Sequence, residues 1–119
     1  MKLVRVEIIM NDVKMDKLLV ALRKYKVSGM TVFQAMGCGV QYGSQEYEEE
    51  DLSEIKLLEK KVVMLIMPKE NVEDFIEYVE KNLYTGHIGD GKIFVSSVSN
   101  VFRVRTGEEG YDALTAGAY

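Results

Sequence analysis

Three glycines and three cations in the last third of the chain are the residues best suited to bind a phosphate. The glycines are Gly86, Gly89 and Gly91, and the cations are Lys92, Arg103 and Arg105. Glycine lets the backbone adopt positive φ and approach an anion closely. Two arginines two positions apart in an extended segment place both guanidinium groups on one face, where their planar donor forks suit a polyphosphate. The pattern predicts a phosphate-binding loop with cations beside it.

Apolar patterning predicts the elements that carry this loop. Alternating or continuous apolar runs indicate strands over residues 3–10, 30–40, 61–67, 92–95 and 101–105. Two segments have apolar residues at helical spacing. The first contains Met15, Leu18, Leu19 and Leu22, and the second contains Val72, Phe75, Ile76, Val79 and Leu83. Gly37 and Gly39 mark a bend or a close backbone approach near the end of the second strand.

The order of these elements predicts one domain over residues 1–119 in the α+β class. We expect a ferredoxin-like split βαβ sandwich (βαββαβ), with an antiparallel four-stranded sheet, two helices on one face and a short C-terminal strand. Residues 42–55 contain a run of acidic side chains and indicate a long mobile loop, and residues 107–119 read as a small-residue tail without a core pattern. Apolar positions on the uncovered sheet face predict association with other subunits.

Composition excludes several classes of protein. The net charge is -4, whereas binding to nucleic acid depends on a basic surface. The longest apolar run, residues 62–67, is far shorter than the roughly 20 residues of a membrane helix, so no membrane-embedded segment is expected. A single cysteine excludes an internal disulfide, and the charged start lacks a signal-peptide pattern. These features predict a cytoplasmic protein.

Several segments together resemble the PII signal-transduction proteins. The strongest match is TGHIGDGKIFVSSV at residues 85–98, which is similar to the C-terminal signature of that family. RVRTGE at 103–108, SGMTV at 28–32 and GCGVQ at 37–41 also resemble it. The resemblance implies a homotrimeric regulator that is not an enzyme, that binds adenine nucleotides between subunits and that acts in nitrogen or carbon metabolism.

The resemblance also implies a set of nucleotide-binding residues. Gly89, Asp90, Gly91 and Lys92 would wrap the phosphates from one subunit, and Arg103 and Arg105 would reach them from the next. Thr31 and the strand backbone around Met64 and Ile66 would hold adenine and ribose, and Gly37, Cys38, Gly39, Val40 and Gln41 would line the phosphate end. Gln41 and Lys60 match the side chains used beside 2-oxoglutarate and its Mg²⁺. ATP, ADP and AMP are the expected effectors, with Mg²⁺ accompanying ATP and no metal site built from protein side chains alone.

Two departures from the family pattern change this interpretation, one at Val40 and one in the acidic loop. Val40 stands where an arginine is common, and the missing contact to the phosphates would lower affinity about ten- to a hundredfold. The preference for ATP over ADP or AMP therefore stays open. Met64 also replaces a common glutamate, but this difference does not decide function. Ser53 falls where some members have a modified tyrosine, and the acidic loop contains no arginine, so we expect a target protein with a basic surface.

The sequence does not identify the target, for which a transporter and a metabolic enzyme are the two candidates. Two alternatives to nucleotide-dependent regulation stay open. One is an architectural trimer of the same fold that does not signal. The other is a slow nucleotide hydrolase in which Lys92 and the arginines stabilise charge on the phosphates.

Overall fold

The computed structural model describes residues 1–11, 15–27, 29–38, 57–84, 86 and 91–115. Within them, four strands and two α-helices follow the predicted order. They are β1 (Leu3–Met10), α1 (Met15–Lys24), β2 (Thr31–Gly37), β3 (Leu58–Pro68), α2 (Val72–Leu83) and β4 (Lys92–Val98). Short 3₁₀ turns cover Lys69–Asn71 and Gly110–Leu114. The predicted mobile loop at residues 42–55 lies outside the described residues.

The four strands form one antiparallel sheet in the order β2-β3-β1-β4. Alternate residues of the central strand β1 point toward the helices, and Val4, Val6 and Ile8 are all buried there. The opposite face, which we call the open face, carries the intervening residues Arg5, Glu7 and Ile9. This arrangement confirms the predicted ferredoxin-like fold with both helices on one side.

The core lies between this sheet and the two helices. Leu18, Ala21 and Leu22 of α1 and Phe75 of α2 are buried against the inward residues of β1 and β3. Phe75 is completely buried, and the ring of Tyr25 meets it edge-on at 5.7 Å between centroids. The Tyr25 hydroxyl also donates a hydrogen bond to the Asp74 backbone oxygen at 3.0 Å, which ties the end of α1 to α2.

The prediction that Leu19 belongs to the apolar stripe of α1 was wrong. Leu19 is 50 % exposed, and Ala21 takes the buried position instead. Successive helical residues are about 100° apart, so Leu19 turns away from the sheet once Leu18 points into it. The stripe of α2 was correctly predicted, since Val72, Phe75, Val79 and Leu83 are buried and Ile76 is partly buried.

Strand bounds differ from the predictions because pairing between strands sets them. β3 begins at Leu58 rather than at residue 61, since its charged first residues pair with the end of β2. Conversely, β2 ends at Gly37, before the predicted residue 40. β4 continues to Val98, where it pairs with Leu3.

The predicted strand over residues 101–105 does not form. Phe102 makes only an isolated bridge to Glu109, and residues 104–106 form a turn closed by hydrogen bonds between Arg103 and residues 107 and 108. Gly107 has φ of +76°, which lets the chain reverse at that point. The tail that follows also departs from the prediction, because residues 110–114 form a 3₁₀ turn whose Ala113 and Leu114 are half-buried.

Candidate functional site

The predicted glycine-rich loop is described at its two ends, at residues 86 and 91. Gly86 and Gly91 both have positive φ, +81° and +92°, as the sequence predicted for this loop. A Cβ atom on Gly91 would lie 1.9 Å from the Ile9 backbone oxygen. Gly91 is therefore required, because its backbone passes close to β1. The close approach predicted for a ligand is, at this glycine, an approach to the chain's own strand. Gly89, Asp90 and His87 lie outside the described residues.

Lys92 follows Gly91 directly and begins β4, where it pairs with Ile9. Its side chain is exposed. A cavity of about 450 Å³ lies beside this point, between β1, β4 and the end of α2. Of the predicted nucleotide-binding residues that the structure describes, only Gly91 and Lys92 line that cavity, and most of its wall is core side chains. The cavity of one chain therefore does not unite the predicted site.

Gly37 and Lys60 lie at the same end of the sheet as Lys92. Gly37 ends β2, and a Cβ there would lie 3.2 Å from Lys60 Cγ. Lys60 Nζ donates to Asn11 Oδ1 at 2.5 Å, which holds the lysine across the ends of β1 and β3. Cys38 follows Gly37 and is exposed. Gly39, Val40 and Gln41 lie outside the described residues, so the pairing of Gln41 with Lys60 stays a prediction.

Thr31, Met64 and Ile66 lie together on the open face, nearer the opposite end of the sheet. Thr31 opens β2 and is the register partner of Met64, so their side chains are neighbours. Ile66 is two residues further along β3, opposite Arg5. Thr31 is exposed, while Met64 and Ile66 are half-buried. The strand register thus brings together the three residues assigned to adenine and ribose.

Arg103 and Arg105 do not share the face of an extended strand, because Arg105 lies in the turn over residues 104–106. The Arg103 guanidinium points back to its own chain. Its Nη1 pairs with Glu108 Oε1 at 3.0 Å, and its Nη2 donates to the backbone oxygens of Ala113, at 3.1 Å, and of Thr115. The pattern of alternating arginines predicted the extended geometry, and the local turn with positive-φ Gly107 overrides it.

The predicted cations therefore fall at opposite ends of the sheet. We call the end with Gly37, Gly91 and Lys92 the glycine end, and the end that follows Val98 the tail end. Asn100 and Gly110 line a common cavity with Lys2 and Lys69, which places the arginine-bearing segment beyond the tail end. The seven residues of β4 separate the two ends by about 20 Å. One chain cannot bring Lys92 and Arg103 to the same phosphate.

Among the described residues, the open face between these ends carries exposed apolar side chains beside a few charged ones. Phe33 of β2 and Phe94 of β4 are 47 % and 52 % exposed there. Ile9 of β1 and Val62 of β3 lie on the two strands between those that carry the phenylalanines. An ion pair between Arg5 and Glu7, at 2.6 Å, also lies on this face. Exposed aromatic side chains on a sheet face indicate a surface that another molecule covers.

Sequence reasoning missed the group that surrounds Arg103. Asn100 Oδ1 accepts hydrogen bonds from the backbone nitrogens of Val101 and Gly110, and Asn100 Nδ2 donates to Glu109. The acceptors for Arg103 are mostly backbone carbonyls, which every sequence contains. An Asn followed by two positive-φ glycines, Gly107 and Gly110, was the signal available for a compact turn.

Among the described residues, no helix is long and apolar enough to cross a membrane.

Comparison with known proteins gives consistent matches over nearly the whole chain. The sequence model described as Nitrogen regulatory protein P-II matches residues 1–108. The Nitrogen regulatory protein P-II of Rhizobium meliloti is 40% identical over 110 residues, which are 92% of this chain and 98% of that protein. In structure, the GlnK-ATP complex of B. subtilis matches with a TM-score of 0.78 and 33% identity over 95% of this chain and 98% of that one. Arabidopsis thaliana PII bound to citrate matches with a TM-score of 0.71 and 37% identity over 94% and 92% of the two chains.

Proposed function

Because the chain belongs to the nitrogen regulatory protein P-II family of regulatory proteins, we propose that it is a homotrimeric sensor of adenine nucleotides. ATP or ADP binds in clefts between subunits, and a target protein reads which nucleotide is bound. The solved GlnK-ATP complex of a relative with 33% identity supports the choice of nucleotide. The protein acts in the cytoplasm and carries out no enzymatic turnover as its main function.

The observation that carries this proposal is the division of the predicted site into two groups. Gly37, Gly91 and Lys92 lie at the glycine end, while Arg103 and Arg105 follow the tail end about 20 Å away. A phosphate that contacts both groups needs the glycine end of one subunit beside the tail end of the next. The exposed phenylalanines of the open face support such packing, because burying them between subunits is favourable.

The chemistry of the two groups suits a nucleotide. Lys92 offers a cation next to the positive-φ backbone at Gly91, which fits an anion, and Arg105 adds a second cation from the neighbouring chain. Thr31, Met64 and Ile66 offer a mostly apolar surface with one hydroxyl, which fits the face and edge of adenine with its ribose. Mg²⁺ accompanies ATP, and 2-oxoglutarate at Gln41 and Lys60 is a further effector within this proposal.

Signalling requires two states with different affinities for the ligands. We assign the readout to the acidic segment at residues 42–55, which follows directly on the phosphate-lining residues 37–41. Its charge suits a target with a basic surface, on either a transporter or a metabolic enzyme. Replacement of one bound nucleotide by another beside residues 37–41 would change the conformation of residues 42–55 and therefore their affinity for the target.

Isothermal titration calorimetry with ATP, ADP and AMP, with and without Mg²⁺ and 2-oxoglutarate, tests the proposal. Lys92→Ala and Arg105→Ala should each weaken ATP binding about ten- to a hundredfold, the value of one charge-assisted contact. Arg23→Ala, which removes an exposed cation at the end of α1, is the matched control and should leave binding unchanged. Absence of binding at millimolar adenylate would refute the proposal and favour the architectural trimer. Phosphate release at ordinary enzymatic rates, lost in Lys92→Ala, would instead favour a hydrolase.

Mixed trimers test the intersubunit geometry directly. When the Lys92→Ala and Arg105→Ala chains are coexpressed in equal amounts, random assembly leaves about a quarter of the clefts with both cations intact. Those clefts should bind ATP with wild-type affinity, although neither homotrimer does. If the site were built within one chain, mixing would not restore ATP binding, because every chain lacks either Lys92 or Arg105.

A further inference from the structure

The Arg103 guanidinium is already held by residues 110–115 of its own chain, which we call the tail. Its Nη2 donates to three backbone oxygens of the tail, those of Asp112 at 3.4 Å, Ala113 at 3.1 Å and Thr115. Its Nη1 pairs with Glu108 Oε1 at 3.0 Å, and the side chain is only 19% exposed. Residues 108–115 therefore surround the head of an arginine that the proposed function assigns to a phosphate.

The hydrogen-bonding capacity of Arg103 limits what it can do in this state. The Nη2 nitrogen has two hydrogens, and three carbonyl oxygens already share them. A phosphate gripped by the guanidinium fork needs parallel N–H groups, and the fork formed by Nη1 and Nη2 is the one that the tail and Glu108 occupy. The Glu108 carboxylate also offsets the positive charge. A phosphate can use this fork only if the tail moves away.

The tail lies outside the buried core, and several polar contacts hold it in place. No residue of the Gly110–Leu114 turn is buried. The tail is anchored through Asn100, which accepts a hydrogen bond from Gly110 N at 3.1 Å and donates one to Glu109 Oε1 at 3.0 Å. Gly110 N also bonds to the Val101 backbone oxygen at 2.9 Å. Such a segment can leave the arginine without opening the hydrophobic core.

We infer that the tail at residues 110–115 is an intramolecular competitor of the nucleotide phosphates for Arg103. With the tail docked, the arginine is withheld and the cleft binds polyphosphate weakly. With the tail released, the guanidinium fork is available and the cleft binds tightly. This inference rests on the proposed function, since it concerns the same cleft. The apparent association constant for the nucleotide is then the intrinsic constant multiplied by the fraction of subunits in which Arg103 is available.

Substitutions that loosen the tail without touching Arg103 test the inference in the full-length chain. Asn100→Ala removes the anchor, and Gly110→Val strains a backbone with φ of +66° although the space around it is open. Both should tighten binding of ATP, and of inorganic tripolyphosphate used as a probe without a base, by about three- to thirtyfold. Asn82→Ala, which removes an asparagine hydrogen bond to Tyr78 O within α2, is the control and should have no effect.

Two further measurements identify Arg103 as the contested group. In an Arg103→Ala background, Asn100→Ala should no longer tighten binding, because nothing is left to compete for. Hydrogen exchange of the Gly110 and Thr115 amides should become faster when ATP is bound, since ATP releases the tail. Slower exchange with ATP, or weaker binding by the loosened variants, would show that the tail braces Arg103 for the phosphate and would overturn the inference.

The two proposals fail in different ways. If wild type binds ATP and Arg103→Ala weakens binding, but the loosened variants match wild type, only the competition is wrong. If neither wild type nor the loosened variants bind ATP or tripolyphosphate, the nucleotide site itself is wrong, and the competition falls with it.

Discussion

Gly91 is the position where the structure makes its sharpest prediction about stability. A Cβ added there would lie 1.9 Å from the Ile9 backbone oxygen and 2.7 Å from Met10 Cβ. The neighbouring atoms are the backbone of a central strand, so no flexible side chain can yield. In Gly91→Ala the start of β4 must move away from β1 by about 1 Å or more to restore an ordinary contact.

The expected cost has two parts. The backbone at φ of +92° disfavours any residue with a Cβ by about 1–2 kcal/mol. Moving the start of β4 also weakens its pairing with β1 next to Ile9 and Lys92, at about 1 kcal/mol for each hydrogen bond lost. With two such hydrogen bonds lost, Gly91→Ala should lower the free energy of unfolding by about 3–4 kcal/mol, which corresponds to about 12 °C or more in Tm.

Gly107→Ala separates the two parts. Gly107 also has positive φ, +76°, but a Cβ there would meet nothing within 4 Å. It should therefore cost only about 1–2 kcal/mol, the backbone part alone. Urea unfolding followed by circular dichroism, at one fixed protein concentration because subunit association adds to stability, measures both variants. Equal destabilisation of the two variants would refute the steric argument at Gly91.

Two further predictions concern the core and the open face. Phe75→Ala should cost about 3–5 kcal/mol in the same urea assay, because the ring is completely buried. A cost below about 1 kcal/mol would show that this residue does not hold the helices on the sheet. Phe33→Glu should dissociate the trimer in light scattering, while Leu19→Glu should leave it intact, although the two side chains are 47 % and 50 % exposed in the single chain. Retention of the trimer by Phe33→Glu would remove the open face from the interface.

Local patterns in the sequence predicted most of the fold. The alternation in β1 and the spacing of Val72, Phe75, Val79 and Leu83 in α2 reported which side chains are buried, because burial imposes a period of two on a strand and of 3.6 on a helix. The resemblance supplied the nucleotide and the trimer. Leu19 was misassigned because the spacing of apolar residues allows a wide stripe, and only packing fixes which part of it is buried.

The candidate site was less accessible to the sequence. The glycines and cations predicted a phosphate-binding loop, and the structure confirms positive φ at Gly86 and Gly91. Lys92 and the two arginines are close in the sequence, but the length of β4 separates them in space. The turn after Phe102 was missed because backbone hydrogen bonds between Arg103 and residues 107 and 108 close it, and such bonds leave no periodic pattern in the sequence.

The sequence by itself therefore determined the fold class, the family and the kinds of side chain that could hold a nucleotide, because these depend on residue type and local spacing. Tertiary structure alone decided which of those side chains lie near one another. Strand pairing placed Lys92 and Arg103 at opposite ends of the sheet, and the folded tail engaged Arg103. The physical reason is that long-range pairing and backbone hydrogen bonding position these groups, and neither leaves a periodic pattern in the sequence.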